Sequence, residues 1–194
     1  TDMIQNWSVY SKMESDVIII GGGPVGMGLA IDLAIQGMSS IVVERHSEIQ
    51  RIPKGQNLTP RTGEHFRRWG VSDAIRAASP IPHNYANGGM ASYRTFVSDH
   101  YYDWFNRSKI KNYYAASHER LPQYETEAVL RERACAFDEI TLMTGWSFDA
   151  FCQDETKVSA TITQTHGDES QVLSSSFLVG CDGARSPVRS AAKI

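Results

Sequence analysis

Three glycines with the spacing G-x-G-x-x-G are the residues of this 194-residue chain whose pattern points most directly to chemistry. They are Gly21, Gly23 and Gly26. Glycines at this spacing allow a tight turn off a strand, close approach of a pyrophosphate to the backbone and close packing of a helix on a sheet. The N–H groups at the start of that helix attract phosphate oxygens. The spacing predicts a phosphate-binding loop, in which Pro24 and Val25 are further candidate cofactor-binding residues.

An acidic residue, Glu44, follows these glycines near the roughly 20-residue offset at which a carboxylate accepts hydrogen bonds from ribose hydroxyls. Its neighbour Arg45 is also a candidate cofactor-binding residue. The alternative is a glycine-rich turn that binds nothing, followed by a solvated Glu. The combination of loop, helix and acid favours a dinucleotide site.

The elements that would position these residues can be predicted from the sequence around them. Residues 17–20 are all β-branched, as in a strand buried on both faces. Residues 25–36 are predicted to form a helix that ends at Gly37, and residues 40–43 a second strand that ends at Glu44. We expect residues 1–15 to be an N-terminal arm and residues 16–194 to be one domain.

The middle of the chain offers weaker signals. Thr59 and Pro60 predict the start of a helix that runs to residue 69, and a short helix is predicted over residues 72–78. Lys54 lies in the loop before these helices. Its side chain either lies beside a nucleotide, which this loop would pass, or is solvated. An aromatic-rich window, residues 85–114, contains two predicted strands, 89–97 and 99–105, and contributes either to the core or to a layer over a flat apolar ligand.

The second half contains a helix that begins at Leu121 and Pro122, with Gln123 in its first turn. This Gln either reaches a ligand or is solvated. Four strands are then predicted, at residues 140–143, 146–152, 158–164 and 171–179, as an antiparallel meander inserted into a parallel-sheet protein. The last strand delivers Asp182 and Gly183 to the sheet edge where ligands bind in α/β folds. Ser186 and Pro187 predict the start of a further helix.

Three of these segments, in this order, resemble motifs of the flavin-dependent aromatic hydroxylases, the class A flavoprotein monooxygenases typified by p-hydroxybenzoate and phenol hydroxylases. The segments are GGGPVG with VVER, LPQYETEAVL, and GCDGARSPVR. The resemblance implies an α/β fold with a Rossmann-like FAD-binding βαβ unit and an inserted antiparallel meander. It also implies that the chain is the N-terminal part of a longer enzyme, because the family's later Gly-Asp motif is not found before Ile194.

The resemblance assigns roles residue by residue. Glu44 would bind the adenosine ribose of FAD, and Gln123 its ribityl or pyrophosphate region. Asp182, with Gly183, would lie near the pyrophosphate and assist the NAD(P)H step. Lys54 stands where the family usually has an Arg near the flavin.

The resemblance also implies the reaction: NAD(P)H reduces FAD, the flavin reacts with dioxygen to give a hydroperoxide, and its distal oxygen is transferred to a small phenolic or heteroaromatic substrate. No catalytic protein residue is assigned, and the oligomeric state stays open, a homo-oligomer included. The alternatives are another FAD-dependent oxidoreductase on the same scaffold, such as a reductase, dehydrogenase or halogenase, or a non-catalytic nucleotide-binding fragment.

The composition of the chain bears on which classes of partner it can bind. The formal net charge is −3, which gives no electrostatic reason to expect binding to nucleic acid or an anionic membrane. No apolar run reaches the roughly 18 residues of a membrane span. The six histidines lack ligand spacing, so no metal site is predicted. Cys135, Cys152 and Cys181 show no disulfide framework, which favours a reducing, cytoplasmic location.

Overall fold

The computed structural model describes residues 13–52, 54–80, 90–95, 97–103, 109 and 111–194. The chain forms two compact units, one of Thr1–Arg51 with Leu130–Ile194 and one of Ile52–Val129. The strands are β1 (Met13–Ile20), β2 (Ser40–Glu44), β3 (Asn57–Leu58), β4 (Met90–Ser92), β5 (Tyr101–Asp103), β6 (Glu119–Arg120), β7 (Ile140–Thr144), β8 (Trp146–Gln153), β9 (Val158–Gln164) and β10 (Ser170–Gly180). The helices are α1 (Pro24–Ile35), α2 (Pro60–Trp69), α3 (Ser72–Ala78), α4 (Gln123–Ala134) and α5 (Pro187–Ala191).

The first unit is built on a six-stranded sheet in the order β7-β2-β1-β10-β9-β8. The pairs β7–β2, β2–β1 and β1–β10 are parallel, whereas β10–β9 and β9–β8 are antiparallel. The predicted α/β fold with a parallel βαβ unit and an antiparallel segment is thus confirmed. β10 belongs to both parts, because it pairs with β1 along one side and with β9 along the other.

One part of the meander prediction is wrong. The strand predicted at residues 140–143, β7, pairs in parallel with β2, from Ser40 opposite Ile140 to Glu44 opposite Thr144. The chain enters β7 from α4, and a helical crossover returns a strand parallel to its neighbours. Gly145 then adopts the left-handed region at φ 76°, and the chain leaves for β8 at the opposite end of the sheet.

Both faces of β1 are buried over residues 17–20, as the β-branched run predicted. Ile18 and Ile20 lie on one face, in a core shared with Phe148 and Ile162 of the antiparallel strands. Ile19 lies on the other face, because successive strand side chains alternate. There it meets α1, since a Cβ added at Gly26 would lie 3.2 Å from the Ile19 Cγ2 atom. β1 begins at Met13, before the predicted domain start, and residues 1–12 of the expected arm lie outside the described residues.

The helix boundaries agree closely with the capping signals. α1 ends with Gly37 at φ 77°, and the N–H groups of Gly37 and Met38 donate to the carbonyls of Ala34 and Leu33, a Schellman motif. The side chain of Thr59 accepts from the N–H of Thr62 at the start of α2, at 3.3 Å. Local residue chemistry therefore determines where these helices begin and end.

The second unit contains two short two-stranded ribbons and the helices α2 and α3. β3 pairs antiparallel with β6, and β4 pairs antiparallel with β5. β4 and β5 each have three residues, shorter than the strands predicted at 89–97 and 99–105. Residues 85–89, 96, 104–108 and 110 of the aromatic window lie outside the described residues, and the role of this window in a substrate layer stays a prediction.

Candidate functional site

The glycine-rich loop leaves β1 in a conformation that requires its first glycine. Gly21 has φ 107°, and its N–H donates to the Val43 carbonyl at 2.8 Å. A Cβ added at Gly21 would lie 2.4 Å from the Cys181 carbonyl oxygen and 2.9 Å from the Asp182 nitrogen. The loop and the Asp-Gly segment, far apart in the sequence, are therefore in backbone contact at the carboxyl ends of β1 and β10.

The carboxylate of Glu44 is held over this loop by two backbone donors. Gly22 N–H donates to its Oε2 atom at 2.7 Å, and His46 N–H donates to its Oε1 atom at 2.9 Å. Each carboxylate oxygen can accept more than one hydrogen bond, so acceptor capacity remains for two vicinal hydroxyls. The side chain is partly buried. This geometry suits recognition of a ribose.

The start of α1 offers donors to an anion. Its N-cap residue is Gly23, which has no side chain to cap the first turn, and that turn carries no acidic residue. Pro24 occupies the first helical position, where a missing N–H costs nothing. Val25 is 72% exposed. The first-turn N–H groups and the positive end of a 12-residue helix are suited to binding phosphate oxygens.

The Asp-Gly segment follows β10 and is fixed by α5. Cys181 N–H donates to the Ile20 carbonyl at 2.7 Å. The Oδ2 atom of Asp182 accepts from Val188 N–H at 3.1 Å, while its Oδ1 atom is buried without a hydrogen-bond partner. Gly183 has φ 82°, which favours glycine. The Asp182 carboxylate therefore serves to hold the segment against α5, and its main chain faces the glycine loop.

The thiol of Cys181 lies half-buried in this segment. Burial raises its pKa, and the negative charge of Asp182 raises it further. The thiol is consequently protonated near neutral pH, which makes it a poor nucleophile.

The loop after β2 carries Arg45 and His46. The guanidinium of exposed Arg45 donates from Nε to the His46 Nε2 atom at 3.2 Å. The Arg45 carbonyl accepts from the Thr165 hydroxyl at 2.8 Å, from the turn between β9 and β10. This loop is thus anchored to the antiparallel part of the sheet.

Lys54 and Gln123 belong to the second unit, where the structure brings their segments together. Gly55, which follows Lys54, accepts at its carbonyl from Gln123 N–H at 2.9 Å. The Gln123 side chain donates to the Glu127 carboxylate at 2.7 Å, and Glu127 is buried. Lys54 itself is exposed. Glu127 lies one turn after Gln123 on α4, and its carboxylate orients the Gln123 side-chain amide.

Four of these participants were not identified from the sequence: Gly22, His46, Glu127 and Thr165. Gly22, the middle of three consecutive glycines, was a usable signal, and so was the spacing of four between Gln123 and Glu127. Nothing in the sequence marked Thr165, because its partner is distant along the chain.

No group of three or more His, Cys, Asp or Glu side chains in the described part of the chain is arranged to hold a metal ion. None of the described helices is long and apolar enough to cross a membrane.

Taken together, a glycine loop, an uncapped helix start and a carboxylate held beside that loop are typical of a dinucleotide-binding domain of Rossmann type. The chain belongs to the FAD binding domain family, whose model matches residues 14–194. FAD is therefore its cofactor.

Curated relatives are hydroxylases and monooxygenases. The 3-(3-hydroxy-phenyl)propionate/3-hydroxycinnamic acid hydroxylase of Comamonas testosteroni is 28% identical over 183 residues, covering 92% of this chain and 29% of the relative. The 12-dehydrotetracycline 5-monooxygenase/anhydrotetracycline 6-monooxygenase of Streptomyces rimosus subsp. rimosus is 30% identical, covering 91% of this chain and 32% of the relative. The chain spans about a third of the length of these relatives.

Solved structures show the same fold. The flavin-dependent monooxygenase PieE in complex with FAD and substrate matches with a TM-score of 0.82 and 29% identity, covering 94% of this chain and 32% of PieE. The rebeccamycin biosynthetic enzyme RebC with reduced flavin matches with a TM-score of 0.78 and 32% identity, covering 94% of this chain and 35% of RebC.

Proposed function

We propose that the intact protein is an FAD-dependent monooxygenase that uses NAD(P)H and dioxygen to hydroxylate a small phenolic or heteroaromatic ring. The observation that carries the proposal is the backbone contact between the glycine loop and the Cys181–Asp182 segment at the carboxyl ends of β1 and β10, with Glu44 beside them. This is the arrangement of a dinucleotide site at a sheet edge. Two of the relatives are named a 3-(3-hydroxy-phenyl)propionate/3-hydroxycinnamic acid hydroxylase and a putative polyketide hydroxylase, which supports a hydroxylation.

The residues of the first unit bind the adenosine diphosphate half of FAD in this proposal. Glu44 accepts hydrogen bonds from the ribose hydroxyls, with Arg45 beside it. The loop from Gly21 to Gly26, with Pro24 and Val25 at the helix start, surrounds the pyrophosphate. Gly23 presents no side chain there, and the first turn of α1 donates N–H groups.

Three further residues have proposed roles. Gln123, oriented by Glu127, binds the ribityl or pyrophosphate region. Lys54 lies near the flavin, as a cation that either neutralises the pyrophosphate or holds the flavin in place. Asp182 fixes the segment that leads into Gly183 and supports the NAD(P)H step through that backbone. When bound, FAD supplies the redox chemistry and the activation of dioxygen. The protein residues bind, orient and position it.

The reaction is tested with the intact protein and ¹⁸O-labelled dioxygen. NADH or NADPH oxidation is followed with a panel of phenols, aromatic acids and hydroxypyridines, and products are analysed by mass spectrometry. The expected result is NAD(P)H oxidation that an aromatic substrate accelerates, with one ¹⁸O atom in the hydroxylated product. NAD(P)H oxidation without ¹⁸O in the product of any compound tested would indicate a reductase or dehydrogenase. A halogenated product that forms only when halide is present would indicate a halogenase. FAD binding without any NAD(P)H oxidation would indicate a non-catalytic nucleotide-binding protein.

The site is tested by FAD titration of the flavin-free protein. Glu44→Ala is expected to weaken FAD binding about ten- to a hundredfold, because hydrogen bonds to a charged acceptor contribute about 1.5–3 kcal/mol. Glu132→Ala, an exposed Glu on α4, is the matched control and should leave the affinity unchanged. Equal FAD affinity of Glu44→Ala and the unaltered protein would remove Glu44 from the site.

A further inference from the structure

Thr165 lies in the turn between β9 and β10, distant in sequence from the glycine loop and from Glu44. Its hydroxyl donates to the Arg45 carbonyl at 2.8 Å, and its own N–H donates to the Gly145 carbonyl at 2.8 Å. The Ser147 hydroxyl lies 3.2 Å from the Thr165 hydroxyl. The Thr165 side chain is therefore held in place from two neighbouring segments.

The Arg45 carbonyl and the His46 N–H belong to one peptide group, which is planar and rigid. The Thr165 hydroxyl binds the carbonyl end of this plane, and the N–H end donates to the Glu44 Oε1 atom at 2.9 Å. Fixing the carbonyl thus fixes the direction of the N–H. A hydrogen bond to the carbonyl also polarises the N–H, which strengthens its bond to the carboxylate.

The other carboxylate oxygen is fixed independently by Gly22 N–H at 2.7 Å. One donor alone would leave the carboxylate free to rotate about that contact, whereas two donors fix its plane. The plane decides which lone pairs remain for the two ribose hydroxyls.

We infer that Thr165 is a positioning residue for the adenosine ribose of FAD, acting through the Arg45–His46 peptide on Glu44. This inference rests on the proposed role of Glu44. It links the antiparallel part of the sheet to cofactor affinity, although Thr165 contacts no predicted cofactor-binding side chain itself.

The test is FAD titration of four variants of the intact, flavin-free protein: Thr165→Val, Thr165→Ser, Glu44→Ala and the Thr165→Val/Glu44→Ala double variant. Thr165→Val removes the hydroxyl at constant shape and should weaken FAD binding about three- to tenfold, as for loss of one neutral hydrogen bond. Thr165→Ser keeps the hydroxyl and should restore the affinity to within about twofold. In the Glu44→Ala background, Thr165→Val should change the affinity by less than about twofold, because coupled residues are non-additive.

The matched control is Thr163→Val on β9, which removes a hydroxyl that donates to the Asp149 carboxylate and has no connection to Glu44. It should leave FAD affinity unchanged. Melting of the flavin-free variants separates affinity from stability, because the inference expects the weaker FAD binding of Thr165→Val at a temperature where its flavin-free form is fully folded.

Each other outcome has a distinct meaning. Unchanged affinity in Thr165→Val, with weak binding in Glu44→Ala, overturns the inference and leaves the proposed site intact. An equal effect of Thr165→Val with and without Glu44 also overturns it, because Thr165 would then act through the turn alone. Unchanged affinity in Glu44→Ala removes the ribose role of Glu44, and with it the basis of the inference.

Discussion

Gly22 and Glu44 illustrate how one residue without a side chain sets the position of another. The Gly22 N–H donates to the Glu44 carboxylate at 2.7 Å, and a Cβ on Gly22 would lie 2.8 Å from the Glu44 Cβ and 3.3 Å from its Cγ. A separation under 3 Å is not tolerated between carbon atoms, so one of the two residues must shift. The close approach that the hydrogen bond needs is therefore available only to glycine.

Gly22→Ala is expected to weaken FAD binding by about tenfold or more, because Glu44 must move away from both its donor and the ribose. FAD titration of the flavin-free protein measures this. Gly37→Ala is the control, since Gly37 has φ 77° and open space around it. It should cost about 1–2 kcal/mol of stability through backbone strain and leave FAD affinity unchanged. Wild-type affinity in Gly22→Ala would show that the loop accommodates a methyl group and that the contact is not required.

At the scale of elements, the parallel and antiparallel parts of the sheet share one hydrophobic core. Ile18 and Ile41 of the parallel strands lie in the same buried cluster as Phe148 and Ile162 of the antiparallel strands. β10 supports this continuity, because it pairs with β1 on one side and β9 on the other. The antiparallel segment is thus a structural part of the FAD-binding unit and is not an appended ribbon.

Ile162→Ala should destabilise the intact protein by about 2–5 kcal/mol, because Ile162 is fully buried and its truncation leaves a cavity in the shared core. Ile35→Ala, at the end of α1, truncates an isoleucine that is 41% exposed and should cost about 1 kcal/mol or less. Urea unfolding measures both. A urea midpoint of Ile162→Ala equal to that of the unaltered protein would contradict a core shared by the two parts of the sheet.

At the scale of the whole molecule, the proposed FAD site joins segments from the two ends of this chain, since Gly21 lies against the backbone of Cys181 and Asp182. The first unit consists of Thr1–Arg51 and Leu130–Ile194, and the second of Ile52–Val129 lies between them in sequence. A ligand that binds only the folded site stabilises every segment that contributes to it.

Removing FAD should therefore lower the stability of the intact protein, and adding it back at about 100 times its dissociation constant should restore about 2.7 kcal/mol. Thermal melting at several FAD concentrations measures this shift. At the same FAD concentrations, Glu44→Ala should recover less, because its occupancy is lower. A melting temperature that is independent of FAD would contradict cofactor binding by the folded state.

The sequence by itself determined the local features of this protein. The glycine spacing, the β-branched run and the acid at Glu44 predicted the βαβ unit, and Ser186 and Pro187 predicted the start of α5, where the Ser186 hydroxyl accepts from Arg189 N–H. These features depend on residues close together in the chain, whose backbone preferences and spacing are readable directly.

Only the tertiary structure decided which distant segments meet. A strand pattern shows that residues alternate between two faces, but it does not name the neighbouring strand, which is why β7 was placed in the meander although it pairs with β2. The contact from Thr165 to the Arg45 carbonyl likewise depends on how elements pack, whereas the contact between Gln123 and Glu127 is local to one turn of α4. Side-chain orientation at the site is a property of that packing, and no local pattern contains it.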